Sequence, residues 1–334
     1  MKKLALVGCG HIHTPNFVNK MAARKDLKVV KVWDHNEDRA KATAEKLGGQ
    51  SVDCHCRIWE DPSIDAVVIC SETNKHEDLV LRAVDAKKHM YVEKPLGFAS
   101  TDAWKMANAI EDANLLFQTG YFMRGQPIHI LLKKLVKDGA FGKITRLRHS
   151  NCHSGSLGGW FDTEWRWMAN PTIAGCGAFG DLGTHSLDII LWLLDQVPTG
   201  VTASIQEVTG RYPGCDETGE GLLQFPDGTI ATLAAGWVDV QNPVQLIISG
   251  TEGHAHVNNG QLFITSKNIP GADGKSPWTD LPEIEPHAFD LFLDAVAGKK
   301  VKLVSPREAA LRSAVMEALY QGAKAHAWKA PKLR

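Results

Sequence analysis

The first 120 residues alternate short apolar runs with segments that carry a helical pattern. The apolar runs are Leu4–Val7, Val29–Trp33, Asp65–Cys70, His89–Val92 and Leu115–Thr119. Helical spacing is found between them, in Pro15–Arg24, Glu37–Leu47, Lys75–Ala86 and Thr101–Asn114. Parallel strands buried on both faces are apolar throughout, and helices usually connect them. The alternation therefore predicts a doubly wound parallel sheet with helices on both faces.

The pattern changes after Tyr121. Ile128–Lys137 is helical, and strand-like alternation then dominates until two helical stretches near the end of the chain. The strand-like segments are Ile144–Asn151, Val201–Val208, Gly221–Phe225, Thr229–Trp237 and Val244–Ser249, and the helical stretches are Phe289–Ala297 and Arg307–His326. Pro226-Asp227-Gly228 is typical of a hairpin turn. This half therefore reads as a largely antiparallel sheet with a few helices.

These patterns predict an α/β protein with two domains. Residues 1–123 are expected to form a Rossmann domain that binds a dinucleotide. Residues 124–334 are expected to form an α+β domain with a large, mostly antiparallel open sheet, which binds the substrate and mediates oligomerisation. The C-terminal helices of this second domain are free to pack back on the first.

Composition and charge exclude several classes of protein. The 334 residues carry a net charge of −1 and no concentrated basic face, so no nucleic acid partner is expected. No apolar run approaches the length of a membrane span, and Leu4–Val7 is too short for the core of a signal peptide. We therefore expect a cytoplasmic protein without a membrane partner.

The seven cysteines show no metal or disulfide framework. Cys54 and Cys56 flank His55, but a structural zinc site usually spaces its paired thiolates more widely and needs a second pair. We expect these two residues to be reduced thiols, as suits a reducing compartment.

A glycine turn follows the first apolar run. Gly8 permits a tight turn, and Gly10 allows the backbone to approach a pyrophosphate at the start of a helix. Asp34, at the end of the second run, lies where an acidic residue accepts hydrogen bonds from the adenosine ribose and repels the extra phosphate of NADP. NAD is therefore the expected cofactor, with NADP less favoured. Alternatively, Asp34 merely caps the helix Glu37–Leu47.

Histidines surround this turn. His13 occupies the third position of the glycine pattern, where Gly or Ala is usual, and His11 lies between Gly10 and His13. Two histidines without a third ligand nearby in the sequence make a poor metal site, so no metal is expected. We assign His11, Ile12 and His35 to the cofactor instead.

Two further motifs are Glu93-Lys94-Pro95, after the run His89–Val92, and Gly180-Asp181-Leu182-Gly183-Thr184-His185, at the start of an apolar helix. Together with the glycine turn, they resemble the Gfo/Idh/MocA family of sugar and cyclitol dehydrogenases. Other segments match in the same order, namely Ser71–His76 (with Glu72 where proline is usual), Gly120–Arg124, Glu164–Arg166 and Gly250–Gly253. The resemblance thus runs nearly end to end.

The resemblance implies site residues. NAD contacts are implied for Ser71, Thr73, Asn74, His76, Glu93, Lys94, Arg124, Trp165 and Arg166. Substrate contacts are implied for Lys94, Tyr121, His153, Trp160, Asp181 and His185. Aromatic side chains stack well on sugar rings, although core packing explains a tryptophan equally well.

Three of these residues suit the oxidation of a secondary alcohol. His185 is the expected base for the hydroxyl proton, because imidazole titrates near physiological pH. Asp181 lies one helical turn earlier on the same face, and Lys94 supplies a positive charge that stabilises a developing alkoxide. The alternatives are that Asp181 caps the helix Leu182–Leu194, that His185 is a satisfied core histidine and that Lys94 is a surface lysine.

The predicted function is reversible oxidation of a hydroxyl group in a sugar, glycoside or cyclitol, with NAD as an exchanging hydride carrier. A glycosidase or lyase that uses tightly bound NAD transiently is an alternative, since the same residues would serve it. A non-catalytic NAD sensor is disfavoured, because it needs no base. Thr229–Trp237 carries apolar residues in both alternating sets, which predicts a homodimer or homotetramer through the open sheet.

Overall fold

The computed structural model describes residues 1–334, which form two β-sheets. The first sheet has six parallel strands in the order β3-β2-β1-β4-β5-β6. Its strands are β1 Lys2–Val7, β2 Leu27–Trp33, β3 Gln50–Ser51, β4 Ala66–Ile69, β5 His89–Val92 and β6 Phe117–Thr119. The predicted doubly wound parallel sheet is confirmed.

The second sheet has seven strands in the order β13-β12-β11-β7-β10-β9-β8. They are β7 Ile144–Cys152, β8 Gly200–Gln206, β9 Thr218–Gln224, β10 Ile230–Gly236, β11 Val244–Gly250, β12 Gly253–Asn258 and β13 Gln261–Ser266. Only β7 and β10 pair in parallel, so the predicted mostly antiparallel sheet is confirmed. The hairpin turn at Pro226-Asp227-Gly228 joins β9 to β10 as predicted. The last two strands were not predicted.

Ten α-helices accompany the sheets. They are α1 Thr14–Ala22, α2 Glu37–Leu47, α3 Cys56–Trp59, α4 His76–Asp85, α5 Ser100–Asp112, α6 Pro127–Lys137, α7 Pro171–Ala174, α8 Ala178–Leu194, α9 Ala288–Val296 and α10 Pro306–Ala325. None of them combines the length and apolar composition needed to cross a bilayer.

Helix α8 begins four residues earlier than predicted, at Ala178. The carboxylate of Asp216 accepts hydrogen bonds from the backbone N–H groups of Gly177 and Phe179, and so satisfies donors that the helix start leaves free. Asp181 therefore lies inside the first turn and is not the N-cap. The alternative that Asp181 only caps this helix is wrong, because a residue from a distant segment does so.

The two C-terminal helices complete the core of the first sheet. From α9, Phe289 stacks on Phe17 of α1 with ring centroids 4.1 Å apart, and Phe292 is fully buried in the same cluster. From α10, Ala309 and Ala310 pack into the cluster on the other face of the sheet. Full burial of each phenylalanine is worth about 1.5–3 kcal/mol. The first sheet thus depends on residues from the end of the chain.

Cys54 and Cys56 form a disulfide, whereas the other five cysteines are free. The expectation that this pair would be two reduced thiols is wrong. The turn before α3 brings the two Cα atoms to 5.1 Å, which is within the range that a disulfide spans.

Candidate active site

Lys94 and Asp181 meet between the two sheets. The turn after β5 carries Lys94, and the first turn of α8 faces it. The Lys94 Nζ donates a hydrogen bond to Asp181 Oδ1 at 2.6 Å and another to the Asp181 carbonyl oxygen at 3.1 Å. The side chain of Lys94 is only 3% exposed, so it is not a surface lysine, and that of Asp181 is 16% exposed. The structure therefore brings together two groups that lie far apart in the sequence.

A third residue, Trp237, holds the other oxygen of Asp181. Its indole Nε1 donates to Asp181 Oδ2 at 3.2 Å, just beyond the end of β10. Burial opposes ionisation of Asp181, but the charge of Lys94 outweighs it and lowers the pKa of Asp181 to about 2. Asp181 is thus a fixed carboxylate with a donor on each oxygen.

His185 lies one turn after Asp181 and is 4% exposed. Its Nδ1 is buried without a hydrogen-bond partner, and its ring packs edge-on at 5.3 Å from that of Phe122. Burial, helped by the charge of Lys94, lowers the pKa of His185 to about 3. The imidazole is therefore neutral at physiological pH, and the expectation that it titrates near that pH is wrong. It is not a satisfied core histidine, since one of its ring nitrogens has no partner.

The glycine turn joins β1 to α1. Gly8 has a φ of +80°, and a Cβ atom there would lie 2.6 Å from backbone atoms of Ser71. Only glycine fits this position, which brings the turn against the end of β4. Beside the turn lies a cavity of about 520 Å³, whose lining includes Cys9, His11, Asn36, Arg39 and Trp165. Ile12 is half-buried. The turn and this cavity fit the phosphates and adenosine of a dinucleotide.

Asp34 follows β2 at the same edge of the sheet. Its Oδ2 accepts the Cys9 N–H at 2.6 Å, and its Oδ1 accepts hydrogen bonds from the Asn36 N–H and the Arg39 guanidinium. Asn36, not Asp34, caps α2, so the alternative role for Asp34 is wrong. His35 is half-exposed beside the Asp34 carboxylate. An acidic group at this place is suited to ribose hydroxyls.

The segment Ser71–His76 follows β4. Ser71 and Thr73 are buried, and Thr73 lines a narrow space between the glycine turn and Lys94. Asn74 is exposed. The Nδ1 of His76 lies 3.1 Å from the carbonyl oxygen of Pro95. His76 therefore supports the turn that carries Lys94.

Two arginines predicted to contact NAD are held elsewhere. Arg124 donates to Asp188 at 2.5 and 2.9 Å and to Glu308 at 2.8 Å, which uses its guanidinium to tie α8 to α10. Arg166 pairs with Asp162 and stacks on the ring of Tyr212 at 4.6 Å. Neither arginine has a hydrogen bond to the glycine turn. The partners of Arg124 are distant in the sequence, whereas that of Arg166 lies four positions earlier.

Trp167, the residue after Arg166, contacts the glycine turn. Its Nε1 donates to the Gly10 carbonyl oxygen at 2.8 Å, and its ring lies 5.9 Å from that of His11. Trp167 belongs to a short 3₁₀ helix, Arg166–Ala169, that crosses the glycine turn. Trp167 and Trp237 are the two site residues that sequence reasoning missed.

The remaining predicted substrate residues surround the same region. Tyr121 is buried, its hydroxyl lies 3.0 Å from Thr184 Oγ1, and its ring packs edge-on against His185. His153 accepts the Gly155 N–H through Nδ1, and its ring lies 4.8 Å from that of Trp160. Trp160 is 48% exposed, so it is not a core residue.

Known families match both halves of the chain. Residues 2–121 match the model of an oxidoreductase family with an NAD-binding Rossmann fold, and residues 129–256 match the GFO/IDH/MocA C-terminal domain. The chain belongs to the GFO/IDH/MocA family. It is an oxidoreductase whose cofactor is NAD.

Two relatives and one solved structure illustrate the family. The chain is 28% identical over 241 residues to a myo-inositol 2-dehydrogenase of Thermotoga maritima, covering 69% of this chain and 67% of that enzyme. It is 28% identical over 264 residues to a 2,7-anhydro-N-acetylneuraminate hydratase of Escherichia coli, covering 77% of this chain and 68% of that enzyme. An aldose-aldose oxidoreductase from Caulobacter crescentus shares the fold, with a TM-score of 0.82, 22% identity and coverage of 98% and 99%.

Proposed function

We propose that this oxidoreductase reversibly oxidises a secondary hydroxyl group of a sugar, glycoside or cyclitol. The observation that carries the proposal is a neutral, partly unpaired imidazole one turn from a buried Lys–Asp pair. When bound at the glycine turn, NAD accepts the hydride. Inositol oxidation by a relative supports the substrate class.

The chain's own residues would share the rest of the work. Lys94 is placed to donate a hydrogen bond to the reacting oxygen and to stabilise negative charge on it. His185, uncharged, accepts the hydroxyl proton on its imidazole. Asp181 fixes the ammonium of Lys94 and favours the imidazolium that forms. Trp237 orients Asp181 and is therefore a positioning residue.

The test uses purified protein with NAD or NADP and a panel of inositols, aldoses and glycosides, with NADH absorbance as the signal. We expect turnover with NAD, and none with His185→Ala, although that variant should still bind NADH in a fluorescence titration. His326→Asn, at the exposed end of α10, is the matched control and should retain turnover. Turnover by the His185 variant would remove this residue from the mechanism.

The second candidate function is a redox-neutral reaction, in which NAD stays bound to the enzyme and is not consumed. The hydratase relative and the hydrogen bond from Trp167 across the glycine turn favour it. Quantifying NAD released from denatured protein separates the two functions. Stoichiometric NAD, combined with no NADH signal on any substrate, would favour the redox-neutral reaction over the dehydrogenase. A non-catalytic sensor would have no use for the buried Lys94–Asp181 pair.

We also propose that the second sheet mediates a homodimer or homotetramer. On its outer face, Ile230 is 44% exposed, and the half-buried Ile247 and Phe263 lie on the same sheet. Light scattering tests this, and a monomer would contradict it. We further place the boundary between the cofactor and substrate domains at residues 123 and 124, and the protein in the cytoplasm. Five of the seven cysteines are free, as a reducing compartment favours, although the Cys54–Cys56 disulfide is unusual there.

A further inference from the structure

The glycine turn carries a histidine where a dinucleotide needs only a small residue, and the fold gives this histidine a buried partner. His13 Nδ1 lies 3.1 Å from Glu93 Oε1, and His11 Nδ1 lies 3.8 Å from the same oxygen. One potential ligand atom from each of the three residues lies within 4.8 Å of the others. The third ligand that the sequence did not show near the two histidines is therefore supplied by the end of β5.

We propose that His11, His13 and Glu93 form a binding site for a divalent transition metal ion of the Zn²⁺ class. Two imidazoles and one carboxylate are a donor set that suits zinc and its neighbours in the first transition series. Magnesium and calcium prefer oxygen ligands alone, so the site should discriminate against them.

The charge around Glu93 favours a cation. Its carboxylate is fully buried, and its only ion-pair partners are the two histidines. The ammonium of Lys94 is directed to Asp181, although the Lys94 backbone N–H donates to Glu93 Oε2 at 3.0 Å. A fully buried carboxylate is costly unless it is paired, and a metal ion held between the same histidines would compensate its charge.

The three ligands differ in exposure. His11 and Glu93 are buried, whereas His13 lies at the edge of the site. His13 is 39% exposed in its side chain and leaves a path for an ion to enter. Binding would replace two hydrogen bonds: the one between His13 Nδ1 and Glu93 Oε1 at 3.1 Å, and the one that the His13 N–H donates to His11 Nδ1 at 3.2 Å.

The proposal goes beyond the dehydrogenase function and is tested without substrate or NAD. Chelator-treated full-length protein is titrated with Zn²⁺ against a chromophoric chelator, and separately with Mg²⁺. We expect one Zn²⁺ per chain and no competition from Mg²⁺. Loss of a residue that only supports a metal ligand lowers metal affinity by up to about 100-fold. Loss of a ligand itself should cost more, so we expect His13→Ala and Glu93→Gln to weaken Zn²⁺ binding by at least about 100-fold.

His326→Asn is the matched control and should bind Zn²⁺ as the wild type does, because this exposed residue at the end of α10 is not one of the three ligands. Alanine is usual at the position of His13, so that variant is expected to fold; urea unfolding checks this. Substitution with Co²⁺ adds a direct readout, since its visible spectrum reports coordination and should be lost in His13→Ala. No Zn²⁺ binding, or binding that these two variants leave unchanged, would overturn the proposal.

Discussion

The buried contact between Lys94 and Asp181 allows electrostatics to be measured apart from chemistry. The substitution Lys94→Met keeps the length and apolar stem of the side chain and removes its charge. Asp181 then keeps only the Trp237 hydrogen bond while remaining largely buried. Asp181→Asn removes the negative charge of the pair and leaves Lys94 charged. The double variant removes both charges.

The magnitudes follow from the geometry. With the charges 2.6 Å apart and an effective dielectric constant of about 20, the direct attraction is about 6 kcal/mol. Desolvation offsets much of it, but removal of one partner leaves a buried charge and costs about 3–5 kcal/mol. We expect each single variant to lose about that much stability and the double variant to lose far less than their sum. Turnover should fall at least about 100-fold in Lys94→Met and should not return in the double variant.

Urea unfolding of the four proteins at neutral pH gives the free energies, and initial rates on the best substrate give the activities. A double-mutant cycle isolates the coupling between the two residues. A cost below about 1 kcal/mol for Lys94→Met would refute the reasoning, because it would place the pair among solvent-screened surface contacts. Strictly additive costs would refute it as well.

Three further predictions concern the surroundings of this pair. Trp237→Phe removes the indole N–H that donates to Asp181 and should lower kcat about 10-fold or more with little change in KM. The reason is that hydrogen bonds to charged groups are worth about 1.5–3 kcal/mol. Equal kcat values in the variant and the wild type would show that Asp181 does not need this hydrogen bond. Asp188→Asn leaves Arg124 and Arg312 without the buried carboxylate that they share. It should lower the free energy of unfolding in urea by about 3–5 kcal/mol and leave the affinity for NADH unchanged. Weakened NADH binding would support a contact between Arg124 and the cofactor. Folding lowers the pKa values of His11 and His185 to about 3, well below the value of a histidine in the unfolded chain. Unfolding therefore takes up protons, and the free energy of unfolding should fall as the pH drops from about 6.5 towards 3. The expected loss is about 1.4 kcal/mol per pH unit for each histidine. Equal unfolding free energies at neutral pH and about pH 5 would contradict the burial of these imidazoles.

The sequence predicted those site residues whose relation is local. Asp181 and His185 share a helix face because they lie four positions apart, and Lys94 follows a strand whose end faces the ligand side of a parallel sheet. Trp237 could not be assigned, because its contact with Asp181 depends on how the second sheet lies against α8. Trp167 was not identified either, because its contact with Gly10 depends on how the 3₁₀ helix lies across the glycine turn.

The strands β12 and β13 were missed although a signal was present. Asn259-Gly260 lies between them, and both residues have positive φ, as a two-residue hairpin turn requires. In Gly253–Asn258 the histidines alternate regularly with Ala255 and Val257, but two small or medium apolar residues make a weak strand signal. The start of α8 was misplaced for another reason, since its cap, Asp216, comes from a distant segment.

The dependence of the first sheet on α9 and α10 has a consequence during synthesis on the ribosome. All six strands of that sheet leave the ribosome before the second sheet is made, yet Phe289 and Phe292 on one face and Ala309 on the other come only afterwards. At about 5–20 residues per second, the nascent sheet waits on the order of ten seconds or more with part of both apolar faces uncovered. Such an intermediate is a natural client for chaperones.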